Sequence, residues 1–184
     1  MTTRRVTVGC GVVELADEGP EAGRLGSPPV VLLHGFTGSK ESWRELREQL
    51  RATRRVVSLD LPGHGATEIN GDRFQCSIES TARIVIEALD VLGIARFALV
   101  GYSMGGRLAL SIALDYGARL ERLVLESASA GIADPGERRQ RQQADDELAR
   151  FVESAGIEAF VNRWESMPLF ESQRALAAEV RESV

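Results

Sequence analysis

The chain has 184 residues, 43% of them apolar and 27% charged, with a formal net charge of −5. That length suits one domain with a core of its own, and the acidic balance excludes the basic footprint of a nucleic-acid-binding protein. No apolar run is long enough to span a bilayer or to act as a leader after Met1, and Cys10 and Cys76 are too few and too far apart for a disulfide framework or a zinc site. The expectation is a cytoplasmic, metal-free protein.

Residues 6–15 predict a short hairpin or two edge strands, Val6-Thr7-Val8 and Val12-Val13-Glu14-Leu15 around Gly9-Cys10-Gly11. After a Gly/Pro-rich stretch, Val30-Val31-Leu32-Leu33 is a continuous apolar run of the kind found in a strand covered on both faces. It ends in His34-Gly35-Phe36-Thr37-Gly38-Ser39, where glycine lets backbone approach a ligand. A plain strand-to-helix loop is the alternative there. Ser42 with Glu45 resembles a capping box, and Trp43, Leu46 and Leu50 share a face, so a surface helix is predicted over 42–52.

Val56-Val57-Ser58-Leu59 predicts the next strand, leading into the turn Asp60-Leu61-Pro62-Gly63-His64-Gly65. His64, set among turn residues, reads as structural rather than as a catalytic base. Ile78, Ala82, Val85, Leu89 and Leu92 form a helical stripe stopped by Gly93. A strand over 96–100 then feeds Gly101-Tyr102-Ser103-Met104-Gly105-Gly106.

A strand running into a helix through G-x-S-x-G is a nucleophile elbow, in which the tight turn pushes the serine Oγ out above the sheet. Ser103 is therefore the candidate catalytic residue. The N–H groups of Met104, at the start of the helix, and Phe36 are the paired donors expected to form an oxyanion hole. The helix after the elbow, to about Gly117, is apolar almost all round and predicted to be buried. Arg107 is its exception. A cation in the first turn opposes the helix dipole, which favours a role in holding a carboxylate near Ser103 over a merely solvated arginine.

Residues 120–126 predict another strand, and there the composition changes. Asp134-Pro135 marks a helix start, residues 136–155 are rich in both charges, and Gly156 ends them. Ile157, Phe160, Val161 and Trp164 then fall at helical spacing, Met167-Pro168 interrupts, and a third helix is predicted from Ser172. Three helices after alternating strands read as a cap that excludes water, although such a charge run also suits a solvated face. The division expected is a core over 1–131 and an incomplete helical cap over 132–184.

In that order, His34-Gly35-Phe36, Asp60-Leu61-Pro62-Gly63-His64-Gly65 and Gly101-Tyr102-Ser103-Met104-Gly105-Gly106 resemble the α/β-hydrolase superfamily. The resemblance implies an α/β fold with a mostly parallel sheet, flanking helices and a helical cap. Gly105-Gly106-Arg107, Glu137-Arg138-Arg139-Gln140-Arg141, Asp145-Asp146-Glu147-Leu148-Ala149, Phe160-Val161-Asn162-Arg163-Trp164 and Pro168-Leu169-Phe170 further resemble the 2-succinyl-6-hydroxy-2,4-cyclohexadiene-1-carboxylate synthases of menaquinone biosynthesis. That narrower resemblance implies a lyase that eliminates pyruvate from a small polycarboxylate, with the serine acting as a base and no cofactor required. It also implies substrate contacts from His34, Tyr102, Arg107, Arg141 and Trp164, the last being equally readable as part of a cap core.

The superfamily order is serine, acid, histidine, each after a later strand. Here both histidines, His34 and His64, precede Ser103 and no strand pattern follows residue 126. The chain reads as truncated, with the last strands, the acid and the histidine missing and little activity expected of it alone. Glu126 could stand as a substitute acid but has no histidine to orient. The strand at 120–126 would be left as an unpaired apolar edge. Besides the lyase, two readings stay open: a carboxylic-ester or C–C bond hydrolase, and a binding protein without catalysis. The oligomeric state is not legible.

Overall fold

A computed structural model describes residues 3–20, 27–70 and 77–171 of the chain. Its sheet is built on two apolar runs, Val30–Leu33 (β3) and Val56–Leu59 (β4), in which every residue is buried. Even Ser58 is fully buried within β4, its hydroxyl taking a hydrogen bond from Arg47. Thr3–Val8 (β1) and Gly11–Glu18 (β2) form the expected antiparallel hairpin, closed at Val8 opposite Gly11. Phe97–Tyr102 (β6) and Leu120–Glu126 (β7) complete the parallel part, while Glu68–Ile69 (β5), absent from the sequence reading, pairs with β2. Two residues carry too little pattern to signal a strand.

The strand order is β1-β2-β4-β3-β6-β7. β4, β3, β6 and β7 run parallel, and β2 joins β4 antiparallel. From β3 the chain moves to one side, into β4, and then returns past β3 to β6 on the other side. Strand order therefore reverses between β3 and β6, and in open α/β sheets the crevice beyond the carboxyl ends at such a point is where ligands bind. The two loops singled out from the sequence, after Leu33 and after Tyr102, leave from those two ends.

The first helix starts earlier than expected. Ser39 rather than Ser42 is the cap: its hydroxyl accepts from Glu41 N–H and Ser42 reciprocates on Ser39 N–H, opening a 3-10 turn over Lys40–Trp43 before Arg44–Leu50 (α1). Ile78–Val91 (α2) is capped in the same way by Ser77 and Ser80 and ends before Gly93, whose φ of 68° is the left-handed cap. Met104–Asp115 (α3) is less buried than its composition suggested. Leu108, Ala109 and Ile112 are in the core, but Leu114 is 78% exposed, so one stripe faces the sheet and the other faces outward. α2 and the buried stripe of α3 cover one sheet face with Leu15, Leu33, Leu59, Phe97 and Leu99; Trp43 and the fully buried Leu32 lie in a smaller cluster with Val30, Val56 and Ala98.

The chain divides into two units between Ala130 and Gly131. In the second, Pro135–Glu165 (α4) is capped by Asp134 and broken at Gly156, whose φ of 83° and ψ of 172° are not helical, so it is two helices meeting at a kink. Phe160, Trp164 and Phe170 pack their rings at 5.6 and 5.7 Å. The helix predicted from Ser172 and Cys76 lie outside the described residues. Among the described residues no helix is long and apolar enough to cross a membrane.

Candidate active site at the end of β6

Ser103 lies between β6 and α3 with φ 52° and ψ −110°, a conformation that L-residues rarely adopt. Three backbone hydrogen bonds hold it there. Its N–H donates to the Glu126 carbonyl at the end of β7, 2.9 Å away, and its own carbonyl receives the N–H groups of Gly106 and Arg107 at 3.1 and 3.2 Å. A side chain at Gly105 would meet the Leu33 carbonyl at 2.3 Å, so only glycine lets the start of α3 lie against the end of β3. The elbow is the predicted one. Met104 is the first residue of α3, where an N–H has no acceptor within its own helix.

The loop after β3 closes on the elbow from the other side of the reversal. A Cβ on Gly35 would lie 2.9 Å from the Tyr102 ring and 3.5 Å from Ser103 Cβ. The Gly35–Phe36 peptide thus runs beside the nucleophile. Phe36 and Tyr102 are 43% and 39% exposed, which puts two aromatic surfaces around a half-buried Ser103.

His34 differs from the expected substrate contact. It is fully buried, its Nδ1 lies 2.8 Å from the Gly35 carbonyl, and its Nε2 accepts the N–H of Leu61 at 3.0 Å. The Leu61 donor leaves Nε2 unprotonated, so Nδ1 carries the proton and donates to Gly35. Neither nitrogen is left to face a ligand. Burial is the main reason this imidazole holds a proton less readily than an ordinary histidine; His64 adds to the effect, while the Gly35 carbonyl and Asp60 oppose it. His64, read as structural, bonds through Nε2 to the Phe36 carbonyl, with Nδ1 3.1 Å from the Pro62 carbonyl. The two imidazoles meet edge to face at 5.0 Å. Neither of the chain's two histidines bonds Ser103.

Beneath the loops is an ionic cluster that the sequence reading missed. Asp60, fully buried at the end of β4, accepts the N–H groups of Lys40 and Ala66 at 2.7 and 3.0 Å and the Lys40 ammonium at 2.9 Å. Lys40 also pairs with Glu14 at 2.9 Å. Burial alone would raise the Asp60 carboxyl, but the two N–H groups and the ammonium outweigh it and hold the acid below its ordinary range. Burial likewise works against Lys40, and its bonds to Glu14 and Asp60 push it up. The available signal was an acid directly after a buried strand, which requires a partner. Its cation, twenty residues away in sequence, could not be read.

The remaining expected contacts are described each within its own unit. Arg107 is exposed in the first turn of α3 and makes no ion pair among the described residues. Arg141, in the second unit, bonds Asp145 through Nε at 2.8 and 2.9 Å, a pair one helical turn apart. Trp164 packs its ring, tilted, against those of Phe160 and Phe170. Glu126, the suggested substitute acid, serves Ser103 through its backbone carbonyl. Among the described residues, no cluster of three or more His, Cys, Asp or Glu could hold a metal.

Comparison with known proteins agrees with this geometry. Residues 28–179 match the family described as alpha/beta hydrolase fold. The chain is 47% identical over 98% of its length to a Bacillus subtilis (strain 168) protein provisionally named 2-succinyl-6-hydroxy-2,4-cyclohexadiene-1-carboxylate synthase, covering 65% of that protein. It is 34% identical over 88% of its length to the synthase of that name from Klebsiella pneumoniae (strain 342), covering 62% of it. Among solved structures it resembles MenH from S. aureus, with a TM-score of 0.81 and 32% identity over 92% of this chain and 62% of the other. The chain therefore spans a little under two thirds of the length of these relatives. With the strand order, the elbow and the family match in agreement, the chain belongs to the alpha/beta hydrolase fold family.

Proposed function

We propose that these residues carry the nucleophile side of a lyase active site that eliminates pyruvate from 2-succinyl-5-enolpyruvyl-6-hydroxy-3-cyclohexene-1-carboxylate. The observation that carries the proposal is Ser103 in its elbow beside the Gly35–Phe36 peptide, in a chain 47% identical to a relative bearing the synthase name. Ser103 Oγ takes the proton next to a carbonyl, negative charge moves to the carbonyl oxygen, and the N–H groups of Phe36 and Met104 stabilise it. Collapse of that charge breaks the C–O bond, and the departing enolate takes up one proton, balancing the one removed, to become pyruvate. Arg107 supplies a fixed cation for a substrate with several carboxylates, while Tyr102 lines its site.

Ser103 needs a group to receive its own proton, and His34 and His64 are committed to backbone partners. In this reading the 184 residues alone work slowly, roughly a thousandfold or more below an enzyme with its full triad. The test is pyruvate release by the protein and by Ser103→Ala. Slow release that disappears in the variant supports the lyase. Substrate bound but unconverted favours a binding protein, and a mass increase at Ser103 from an activated ester favours a hydrolase.

A further inference from the structure

Two consecutive carbonyls of the loop after β3 are each held by a histidine side chain. His34 Nδ1 donates to Gly35, and His64 Nε2 donates to Phe36. Gly38 N–H adds a second bond to the Gly35 carbonyl at 3.1 Å. A trans peptide is planar, with its C=O and N–H pointing in opposite directions, so fixing the Gly35 carbonyl fixes the direction of the Phe36 N–H. That N–H is the donor assigned to the oxyanion. The Phe36 carbonyl, one peptide further on, fixes the other side of the same residue.

We propose that His34 and His64 form a two-histidine clamp of positioning residues, which aims the Phe36 N–H at the oxyanion rather than touching substrate or exchanging protons with Ser103. The proposal rests on the oxyanion role given to Phe36 above. The clamp is anchored outside its own loop. Leu61 N–H on His34 Nε2 sets the tautomer that can donate to Gly35, and Leu61 and His64 both belong to the turn that follows β4. Asp60 ties that turn back to Lys40. Histidine suits His34's position because it donates through Nδ1 and accepts through Nε2 at once, from a ring with no net charge.

Two side-chain amides separate these tasks. His34→Asn puts an N–H near the place of Nδ1 and gives up the Leu61 acceptor; His34→Gln reaches Leu61 and gives up the donor to Gly35. Removing an oxyanion donor costs about 100- to 1,000-fold in kcat, so misdirecting one is expected to cost roughly 10- to 100-fold. With the pyruvate-releasing reaction of the protein as the readout, His34→Gln should lower kcat by that factor with KM within about twofold, and His34→Asn should recover most of the loss. His64→Leu should lower kcat and His64→Gln, which keeps a donor near Nε2, should restore much of it. His64 is half-buried, so its pair decides the matter if the His34 variants fail to fold. Equal losses in His34→Gln and His34→Asn together with equal losses in His64→Leu and His64→Gln, or a change in KM alone, overturn the clamp.

The closing experiment does not depend on turnover. In 15N-labelled protein, His34 should show the Nδ1–H tautomer, and the Phe36 amide resonance should move in His34→Gln and His64→Leu but stay near its wild-type position in His34→Asn and His64→Gln. A His34 Nε2–H tautomer, or a Phe36 amide indifferent to all four changes, overturns the clamp even if pyruvate is released. If the tautomer and amide behave as expected and no pyruvate appears, the lyase reading fails and the clamp stands.

Discussion

Ser103 at φ 52° is held in a conformation that costs on the order of 1–3 kcal/mol, and the surrounding contacts have to impose it. Gly105 is one of them, because any side chain there would meet the Leu33 carbonyl. Gly105→Ala is expected to separate α3 from β3, lowering stability by about 1–3 kcal/mol in urea unfolding and reducing labelling of Ser103 by a serine-directed phosphonate. Arg107 is the contrasting case. Its side chain is exposed and unpaired among the described residues, so Arg107→Ala should leave Tm within about 2 °C. In the proposed lyase the same change should lower kcat/KM tenfold or more, as expected for loss of a charge-assisted contact. Unchanged kinetics would remove Arg107 from the site.

At the scale of elements, strand identity followed from composition and loop position followed from ionic bonds. Val30–Leu33, Val56–Leu59 and Phe97–Tyr102 are apolar enough that burial decides their place, and all were legible. The cluster of Asp60, Lys40 and Glu14 was not, because its members come from three separate segments. Asp60→Asn keeps one acceptor oxygen where Lys40 N–H and Ala66 N–H now use one each, sets an NH2 donor against the other, and leaves the buried ammonium with Glu14 alone. The expected cost is about 3 kcal/mol, read as a fall in the urea midpoint at unchanged m-value. The helix boundaries show the same limit. Ser39 and Ser42 cap the first helix because the chain arrives from the β3 loop, which local spacing around Ser42 and Glu45 could not reveal.

For the whole molecule, the buried His34 and Asp60 and the half-buried Asp17 give stability a common direction with pH. The native state holds the His34 proton less tightly than the unfolded chain, so acid favours unfolding: its contribution is complete above about pH 6.5 and is lost as pH falls through the lower native value. Asp60 is held below its ordinary range against burial by Lys40 and Ala66. Asp17 is held low, also against burial, by Arg55 and Arg4. Their contributions are present above about pH 4 and disappear as pH falls further. Urea midpoints from pH 8 to pH 3 should therefore fall in two stages, and His34→Asn should flatten the first. A midpoint that rises between pH 7 and pH 5 contradicts the assignment of a neutral, buried His34.

Sequence alone determined the alternating strands, the elbow at Ser103 and the loop after β3, since each depends on near neighbours: apolar runs that must be buried, and glycines that permit close turns. Only the tertiary structure decided what His34 does. A histidine beside a candidate oxyanion loop reads as a ligand contact until Leu61 occupies one ring nitrogen and Gly35 the other. It likewise decided that Trp164 packs, tilted, against two rings and that Arg141 pairs with Asp145. A side chain's partners are set by where distant segments meet, and local pattern contains no record of that.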